Sequence, residues 1–419
     1  MQVFKFGGAS VKDAQAVQNI QVLLSKQNTH ETVIVVSAMA KTTNALEEVY
    51  KAYLTADSKI TEKVLAIKHF HLTIINDLFV EKNNQLIDDI ENIFVELDWI
   101  LEEDIHEDSA FIYDQIVSLG EILSTKIIAA YLNYKELACV WLDARGYIQT
   151  DNNYQEGNID WASTELLVQK DFPKLLENKM IITQGFIGGT SENFTTTLGR
   201  EGSDFSAAIF AACLNASAVT IWKDVDGVLN ADPKLFPHTE KFEQLPYSEA
   251  LEMTYYGATV IHPKTIKPLQ NKQIPLFVKP FLNHEGTGTH IGQFEQIKYH
   301  LPTIIVKNDQ VLMSISSRDF SFISEQNLSF ILGVFAKLNV KINTMQNSAM
   351  TWSCCFDYHI EKLNKLIAEL QSDYKVYYNQ PVSLVTLRHY HQSTIDEISQ
   401  GKEVLIEQRS RNTVQLVMR

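Results

Sequence analysis

Short apolar runs alternate with long amphipathic segments over most of the chain, and this alternation restricts the fold more than any other feature. Residues 32–37 (TVIVVS) are continuously apolar and rich in β-branched side chains, which is typical of a central parallel strand covered on both faces. The pattern from about 45 to 134 is mostly helical. Further strands are predicted at 2–6, 139–143, 180–189 and 218–224. Strands that alternate with helices predict an α/β fold in which helices sandwich a mainly parallel sheet.

Beyond residue 302 the predicted elements follow the order βαββαβ, which is that of a ferredoxin-like unit. The strands are predicted at 311–317, 340–346, 353–360 and 374–379, and the helices at 324–339 and 362–371. A second unit starts with a strand at 382–390, continues through a helix near 394–399 and strands at 404–410 and 413–419, and lacks the last helix and strand. We therefore predict an α/β domain at 1–295, a ferredoxin-like domain at 303–380 and a second, apparently truncated unit at 381–419.

The composition of the 419 residues, with 45% hydrophobic and 21% charged residues, indicates a soluble protein with a substantial hydrophobic core. Lys and Arg number 36 against 51 Asp and Glu, and the net charge of -15 argues against partners such as nucleic acid or anionic membrane. We expect no secretory signal at Met1 and no run of the ~20 apolar residues that span a bilayer, which predicts a cytoplasmic location. The spacing of the four cysteines fits neither a zinc site nor a disulfide framework.

A glycine pair lies between the first predicted strand and the first predicted helix, in the segment KFGGAS (5–10). Backbone N–H groups of a glycine turn and of a helix N-terminus can together bind an anion, and Lys5 would add a positive charge. Ser10 and Asp13 form an S-x-x-D capping pattern that predicts the start of the helix. The segment matches neither the Walker A nor the Rossmann glycine motif. By itself it also fits a simple turn with a surface lysine.

A second glycine-containing turn, TTLGREGSDFSAA (196–208), precedes an alanine-rich helix predicted at 206–218. Gly199 and Gly202 flank Arg200, whose guanidinium suits bidentate recognition of a carboxylate. Asp204 could position a second cation, or it could simply cap the helix. A third glycine-rich turn, GFIGG (185–189), follows another strand.

The segment WKDVDGVLNADPKLF (222–236) is an acidic loop after a buried strand, where α/β folds bind ligands. It lacks the spacing and terminal Glu of an EF-hand, and it also fits a polar loop without a ligand. His262 precedes Pro263 at the start of a predicted helix. We interpret it as a packed residue without a chemical role.

Taken together and in this order, seven segments resemble aspartate kinase, a member of the amino-acid kinase superfamily. They are KFGGASV (5–11), SAMAKTTN (37–44), SLGEILS (118–124), GFIGG, TTLGREGSD, KDVDGVLNADP (223–233) and EMTYYGATVIHPKTI (252–266). The tail resembles the paired ACT domains that this family uses for dimerisation and amino-acid feedback. The resemblance implies an amino-acid kinase catalytic domain at 1–295, an ACT domain at 303–380 and a homodimer formed through the ACT region.

The resemblance also implies roles for individual residues. The catalytic residues would be Lys5, which neutralises charge on the transferring phosphoryl group, and Asp204, which organises the lysines. The residues implied to hold aspartate are Thr43, Glu121, Arg200, Gly202 and Ser203. Those implied to hold the nucleotide are Gly7, Gly8, Ala9, Ser10, Lys223, Asp224, Leu229 and Lys234. ATP would bring Mg²⁺ on its phosphates, without a dedicated protein metal site.

The implied reaction is ATP-dependent phosphorylation of the side-chain carboxylate of L-aspartate to 4-phospho-L-aspartate, the first step toward lysine, threonine and methionine. Two alternatives stay open: a related carboxylate kinase that acts on glutamate, and a catalytically weak regulatory or amino-acid-binding subunit. The carboxylate nucleophile is already ionised at pH 7, so no general base is needed. Positioning and electrostatic stabilisation would supply the catalysis.

Several positions depart from the family pattern. Ala9 replaces a usual Thr, Glu201 replaces a common Gly, Leu229 and Lys234 replace a frequent Tyr and Arg, and Thr259 replaces a frequent Lys. Lys5 and Asp204 are retained, so we expect activity to persist. In the first ACT domain, Asn343 and the pair Ser348–Ala349 replace an Asp and a Ser-Glu pair that help bind lysine in inhibited members. The loss of two carboxylates predicts a weakened site for a cationic effector.

Overall fold

The computed structural model describes residues 1–27, 31–103, 108–258, 261–294, 302–319 and 321–419. These residues form two compact units. The first comprises Met1–Val228, Lys241–Leu251 and the described residues up to 294. The second comprises Leu229–Glu240, residues 252–258 and the described residues from 302 onward. The domain boundaries that the sequence suggests stay a prediction.

The first unit is built on an eight-stranded sheet with the strand order β3-β4-β2-β1-β7-β9-β10-β8. Every neighbouring pair is parallel except β9–β10. Strands β5 and β6 form a separate antiparallel pair. The strands are β1 (Gln2–Phe6), β2 (Thr32–Val36), β3 (Cys139–Leu142), β4 (Met180–Gln184), β5 (Ile187–Gly189), β6 (Thr195–Thr197), β7 (Val219–Lys223), β8 (Gln244–Pro246), β9 (Leu276–Pro280) and β10 (Thr289–Gly292).

Ten α-helices begin within the described residues of this unit, and the last residues of α9 belong to the second unit. They are α1 (Ala14–Lys26), α2 (Thr42–Leu54), α3 (Ile60–Leu78), α4 (Asn84–Glu102), α5 (Ser109–Val117), α6 (Leu119–Tyr134), α7 (Trp161–Leu176), α8 (Gly202–Leu214), α9 (Tyr247–Tyr256) and α10 (Pro263–Lys272). The mainly parallel α/β fold that the sequence predicts is therefore confirmed.

Three local differences from the sequence prediction have clear causes. The strand predicted at 180–189 is two strands, because the chain turns at Phe186, whose φ of 71° is left-handed. The helix predicted at 206–218 is α8, which begins earlier, at Gly202. Asp13, rather than Ser10, caps α1 by accepting a hydrogen bond from the Ala16 N–H. Ser10 lies in a 3-10 turn, and its hydroxyl donates to the Trp222 carbonyl 3.3 Å away.

The second unit is a six-stranded antiparallel sheet with the order β12-β13-β11-β14-β16-β15. Its elements are β11 (Thr303–Ser317), α11 (Glu325–Lys337), β12 (Ile342–Asn347), β13 (Thr351–Asp357), α12 (Ile360–Leu370), β14 (Tyr374–Arg388), α13 (Gln392–Ser399), β15 (Val404–Arg409) and β16 (Thr413–Met418). The order from β11 to β14 is the βαββαβ order that the sequence predicts, and the ferredoxin-like fold class is confirmed.

Strands β11 and β14 are each 15 residues long, which the sequence pattern does not predict. Their C-terminal and N-terminal halves, respectively, pair within the first ferredoxin-like unit. The other half of β11, at Thr303–Lys307, pairs with Leu384–Arg388. It thereby provides a fourth strand beside β14, β16 and β15. Two separate cores on this sheet contain Phe335 and Leu387, respectively.

One helical stretch of the described residues, Ser109–Tyr134, has the length and hydropathy of a membrane span. Of its 18-residue apolar part, 83% is buried inside the fold. Core helices of globular proteins commonly pass the same test. All four cysteines are free and buried.

Candidate active site

The main cleft of the first unit lies at the carboxyl edge of its parallel sheet, where α/β folds bind ligands. It has a volume of about 740 Å³. Gly8 follows β1, Ser37 and Ala38 follow β2, Phe186 follows β4, and Lys223 ends β7. The first turn of α8 completes this side of the cleft with Gly202, Ser203 and Asp204.

A buried pair of oppositely charged side chains forms the floor of the cleft. Phe4 and Phe6 pack around Trp222 on one face of β1, and Lys5 therefore points to the opposite face. Its Nζ lies 2.7 Å from Oδ1 of Asp204. Both residues are nearly inaccessible to solvent, at 7% and 3% exposure. A lysine buried to this degree requires a charged partner, and Asp204 is that partner.

Lys223 approaches the same carboxylate from the end of β7. Its Nζ lies 3.4 Å from Oδ2 of Asp204, and its side chain is partly exposed. Burial by itself would raise the pKa of Asp204, but the charges of Lys5 and Lys223 outweigh it and the pKa lies below its ordinary value. Asp204 is therefore ionised at neutral pH. It also occupies the first turn of α8, where a helix stabilises negative charge.

At two glycines of the predicted motifs, neighbouring atoms lie so close to the backbone that a side chain would not fit. A Cβ at Gly8 would lie 2.9 Å from the Ala40 carbonyl oxygen, and one at Gly185 would lie 2.5 Å from Cβ of Ser203. Either contact would displace a wall of the cleft. The turn after β1 and the start of α8 can therefore approach their neighbours only because these positions lack a side chain.

Glu121 is a buried carboxyl group in the cleft, at 2% exposure. The Ala38 N–H donates to its Oε1 at 3.1 Å, while the buried Oε2 has no hydrogen-bond partner. Burial raises the pKa of Glu121 to about 8, although the Ala38 hydrogen bond acts in the opposite direction. An unpartnered carboxyl oxygen of this kind suits a cationic donor on a ligand.

Two residues that line the cleft have the left-handed backbone conformation. Phe186 has a φ of 71° and Glu201 a φ of 55°. The Phe186 N–H donates to the Ser206 hydroxyl at 2.9 Å, which holds this strained turn against α8. Burial raises the pKa of Glu201. Positive φ explains why a Gly is favourable at position 201.

Many of the residues implied by the resemblance line this one cleft. They are Lys5, Gly8, Thr43, Glu121, Arg200, Gly202, Ser203, Asp204 and Lys223. Four others lie in the first unit outside the lining: Gly7, Ala9, Ser10 and Asp224. Of these, Ala9 and Asp224 are exposed, and Ser10 is buried with its hydroxyl on Trp222. Leu229 and Lys234 belong to the second unit. Thr259 lies outside the described residues.

Several lining residues were missed by the sequence reasoning. They include Glu47, Tyr113, Gln155 and Glu156. The Tyr113 hydroxyl donates to Oε1 of Glu47 at 2.8 Å, and these two residues bring α5 and α2 together at the cleft. Helical spacing could have identified Glu47, because it lies one turn after Thr43 on the same face of α2. Tyr113, Gln155 and Glu156 come from distant segments, and no local pattern marks them. Phe186 and Thr197 also line the cleft, and they lie within the motifs at 185–189 and 196–208 without having been singled out.

Comparison with known proteins decides the family. The model of the amino acid kinase family matches residues 1–280. The chain is also 30% identical over 357 residues to the lysine-sensitive aspartokinase 3 of Escherichia coli K12, covering 85% of this chain and 78% of that protein. The chain belongs to the aspartokinases of the amino acid kinase family.

Two further relatives show similarity over most of this chain but over very different shares of their own lengths. It is 30% identical over 382 residues to the chloroplastic bifunctional aspartokinase/homoserine dehydrogenase 2 of Arabidopsis thaliana, covering 88% of this chain but only 41% of that protein. The crystal structure of E. coli aspartokinase III in complex with aspartate and ADP is similar, with a TM-score of 0.84 and 26% identity. That similarity covers 100% of this aspartokinase and 96% of the solved chain.

Proposed function

We propose that this aspartokinase transfers the γ-phosphoryl group of ATP to the side-chain carboxylate of L-aspartate and releases ADP and 4-phospho-L-aspartate. The observation that carries this proposal is the buried arrangement of Lys5, Asp204 and Lys223 at the carboxyl edge of the sheet. Two cations against one carboxylate leave a net positive charge beside the cleft, which suits the phosphates of a nucleotide.

The amino-acid substrate matches the polar groups around the rest of the cleft. Arg200 can bind the α-carboxylate through two parallel N–H donors. Glu121, with its unpartnered Oε2, can accept a hydrogen bond from the α-ammonium. The N–H and the hydroxyl of Ser203 at the start of α8 can hold the reacting carboxylate, since the Gly202 and Asp204 N–H groups already donate to the Gly199 and Glu201 carbonyls. This set supports a small zwitterion with a second carboxylate as the acceptor.

The phosphoryl transfer needs no general base, because a carboxylate with a pKa of roughly 4 is ionised at neutral pH. One of its oxygens forms a bond to the γ-phosphorus while the bond from that phosphorus to the β-phosphate oxygen breaks. The electron pair of the broken bond stays on ADP. Lys5 stabilises the charge that spreads over the transferring group, and Asp204 holds Lys5 in position.

We also propose that Mg²⁺ arrives on the nucleotide phosphates. Magnesium in kinases is usually held by one or two carboxylates together with substrate phosphates. Within the ranges that the structure describes, no group of three or more His, Cys, Asp or Glu side chains could hold a metal. The ion would supply charge neutralisation at the phosphates.

The cytoplasmic location and the homodimer through the C-terminal sheet are likewise proposals. The edge strands β12 and β15 of that sheet are candidates for pairing with a second copy. Leu229 and Lys234 are proposed as nucleotide contacts on the basis of the motif alone. We propose no nucleic-acid or membrane partner for a chain with a charge of -15.

The test is a coupled assay of ADP release with ATP, Mg²⁺ and either L-aspartate or L-glutamate. Aspartate-dependent turnover with a kcat/KM at least about 100-fold above that for glutamate supports the proposal. Preference for glutamate would assign the chain to another carboxylate kinase. Folded protein without turnover on either substrate would favour a regulatory or amino-acid-binding subunit.

A further inference from the structure

A third buried carboxyl group, that of Asp114 in α5, borders the cleft without lining it. It is fully inaccessible to solvent. Its Oδ2 accepts hydrogen bonds from the Thr197 N–H at 2.8 Å and the Gln155 N–H at 2.9 Å, and its Oδ1 accepts one from the Thr197 hydroxyl at 2.7 Å. No Lys, Arg or His in the described part of the chain pairs with it. These three donors are therefore its stabilising contacts.

The three donors come from two segments that both form the wall around Arg200. Thr197 is the last residue of β6, three residues before Arg200, and it lines the cleft. Gln155 and Glu156 lie in the loop before α7 and also line the cleft. The two segments are joined directly as well, because the Gly157 N–H donates to the Thr197 carbonyl at 2.9 Å. One carboxylate thus connects both segments to α5.

The residues beside Asp114 make equivalent connections. Tyr113 donates to Glu47 on α2. Gln115 donates from Nε2 to the Thr195 carbonyl at 2.8 Å and accepts from the Thr195 N–H at 3.2 Å. Together, three successive residues of α5 therefore hold helix α2, strand β6 and the loop at Gln155, each of which contributes to the lining of the cleft. Burial of an ionised carboxylate without a cation costs free energy of folding. The three hydrogen bonds to Asp114 offset this cost.

We propose that Asp114 is a positioning residue for the amino-acid substrate: it fixes Thr197 and Gln155, and thereby the orientation of Arg200. This inference rests on the proposed function, because it concerns the same site. Asp114 does not contact the Lys5–Asp204 pair directly. Its loss should affect binding of aspartate and leave binding of ATP nearly unchanged.

The test compares Asp114→Asn with two matched variants. Asp114→Asn keeps the size of the side chain but replaces one acceptor by an N–H₂ group that faces other donors. Thr197→Val removes the hydroxyl donor alone. Asp108→Ala removes the N-cap of the same helix, where Asp108 accepts from the Ala110 and Phe111 N–H groups, and Asp108 is not among the residues that line the cleft.

We expect Asp114→Asn to raise the KM for aspartate by about tenfold or more with the KM for ATP within about twofold, since small displacements of a positioning group are costly. Thr197→Val should raise the KM for aspartate by about threefold, because it removes one hydrogen bond of three. Asp108→Ala should lower the melting temperature without changing either KM. If Asp114→Asn and Asp108→Ala both lower the melting temperature and neither changes the KM for aspartate, Asp114 has only a structural role.

Hydrogen exchange gives a readout that does not depend on activity. Peptides that contain Gln155 and Thr197 should exchange faster in Asp114→Asn than in the wild type, and they should be unchanged in Asp108→Ala. Unchanged exchange at both segments would overturn the inference even in an inactive protein. Absence of aspartate-dependent turnover in the wild type, with the exchange result as expected, would overturn the proposed function alone. If Asp114→Asn does not fold, Thr197→Val provides both measurements.

Discussion

The Nζ of Lys5 lies 2.7 Å from Oδ1 of Asp204, and each of the two residues is almost completely buried. Lys223 reaches the other carboxylate oxygen at 3.4 Å. The carboxylate therefore holds two ammonium groups at the end of two neighbouring parallel strands. Asp204 fixes the direction of Lys5, and under the proposed function this arrangement would preorganise Lys5 to stabilise the transition state.

Replacement of Asp204 by Asn should cause a large loss of both stability and activity. Lys5 would remain buried without a compensating charge, and removal of one partner of a buried pair costs about 3–5 kcal/mol. We expect kcat to fall by roughly 100-fold or more as Lys5 loses its position. Urea denaturation and the ADP-release assay measure the two effects. A variant that retains wild-type stability and kcat would show that the pair is incidental.

Glu121 predicts a pH dependence of aspartate binding. Its pKa is raised to about 8, mainly by burial, so the ligand-free carboxyl is largely protonated at pH 7 and ionises as the pH rises through 8. An ammonium group binds the ionised form better. The kcat/KM for aspartate should therefore increase with pH and level off above about pH 8, and binding near pH 7 should release a proton. Calorimetry in buffers with different ionisation enthalpies measures that proton, and a pH-independent kcat/KM between 6 and 9 would contradict the assignment.

The same raised pKa affects stability. A carboxyl group whose pKa is higher in the folded than in the unfolded state contributes stability at pH values below the unfolded pKa, and this contribution is lost as the pH rises through the folded pKa. Glu121→Gln removes the ionisation. The free energy of unfolding of Glu121→Gln relative to wild type should accordingly increase between pH 6 and pH 9. A difference that does not vary with pH would indicate an ordinary pKa.

Several of the residues singled out from the sequence lie together in the cleft because they belong to short local motifs, and their catalytic roles stay predictions. The glycine turn after β1 pointed to Lys5, and the turn before α8 pointed to Asp204. Asp114 was missed because its partner Thr197 lies 83 residues away in the chain, and local periodicity carries no information on such contacts. The pairing of Thr303 with Arg388 was missed for the same reason.

Glu201 is a departure from the family pattern with a measurable cost. Its φ of 55° is left-handed, a conformation that costs a non-glycine residue roughly 1–2 kcal/mol. Glu201→Gly should therefore increase stability by about 1 kcal/mol and, by removing a carboxyl group beside the substrate, lower the KM for aspartate by about threefold. Glu201→Gln separates the effects, because it removes the charge but keeps the backbone strain. Equal stability of the Gly and Gln variants would exclude the backbone explanation.

Lysine should inhibit this aspartokinase weakly or not at all. Asn343, which replaces an expected carboxylate, already accepts from Lys307 at 2.9 Å and donates to Gln310 at 2.7 Å. Removal of one charged partner of a bound cation costs about 2 kcal/mol or more, which weakens binding by at least about 30-fold. Titration of L-lysine in the kinase assay tests this, and the double variant Asn343→Asp, Ala349→Glu should gain sensitivity. Half-inhibition of the wild type by micromolar lysine would contradict the prediction.

The most direct test of the account is capture of the acyl phosphate with hydroxylamine, which converts 4-phospho-L-aspartate to a hydroxamate that is identified by mass. Wild-type protein with ATP, Mg²⁺ and L-aspartate should form it, and Lys5→Met should form it at least about 100-fold more slowly. The matched control is Lys12→Met, which removes an exposed lysine just after the same turn and should retain the wild-type rate. Hydroxamate formation by Lys5→Met at the wild-type rate, or none from folded wild-type protein, would contradict the account.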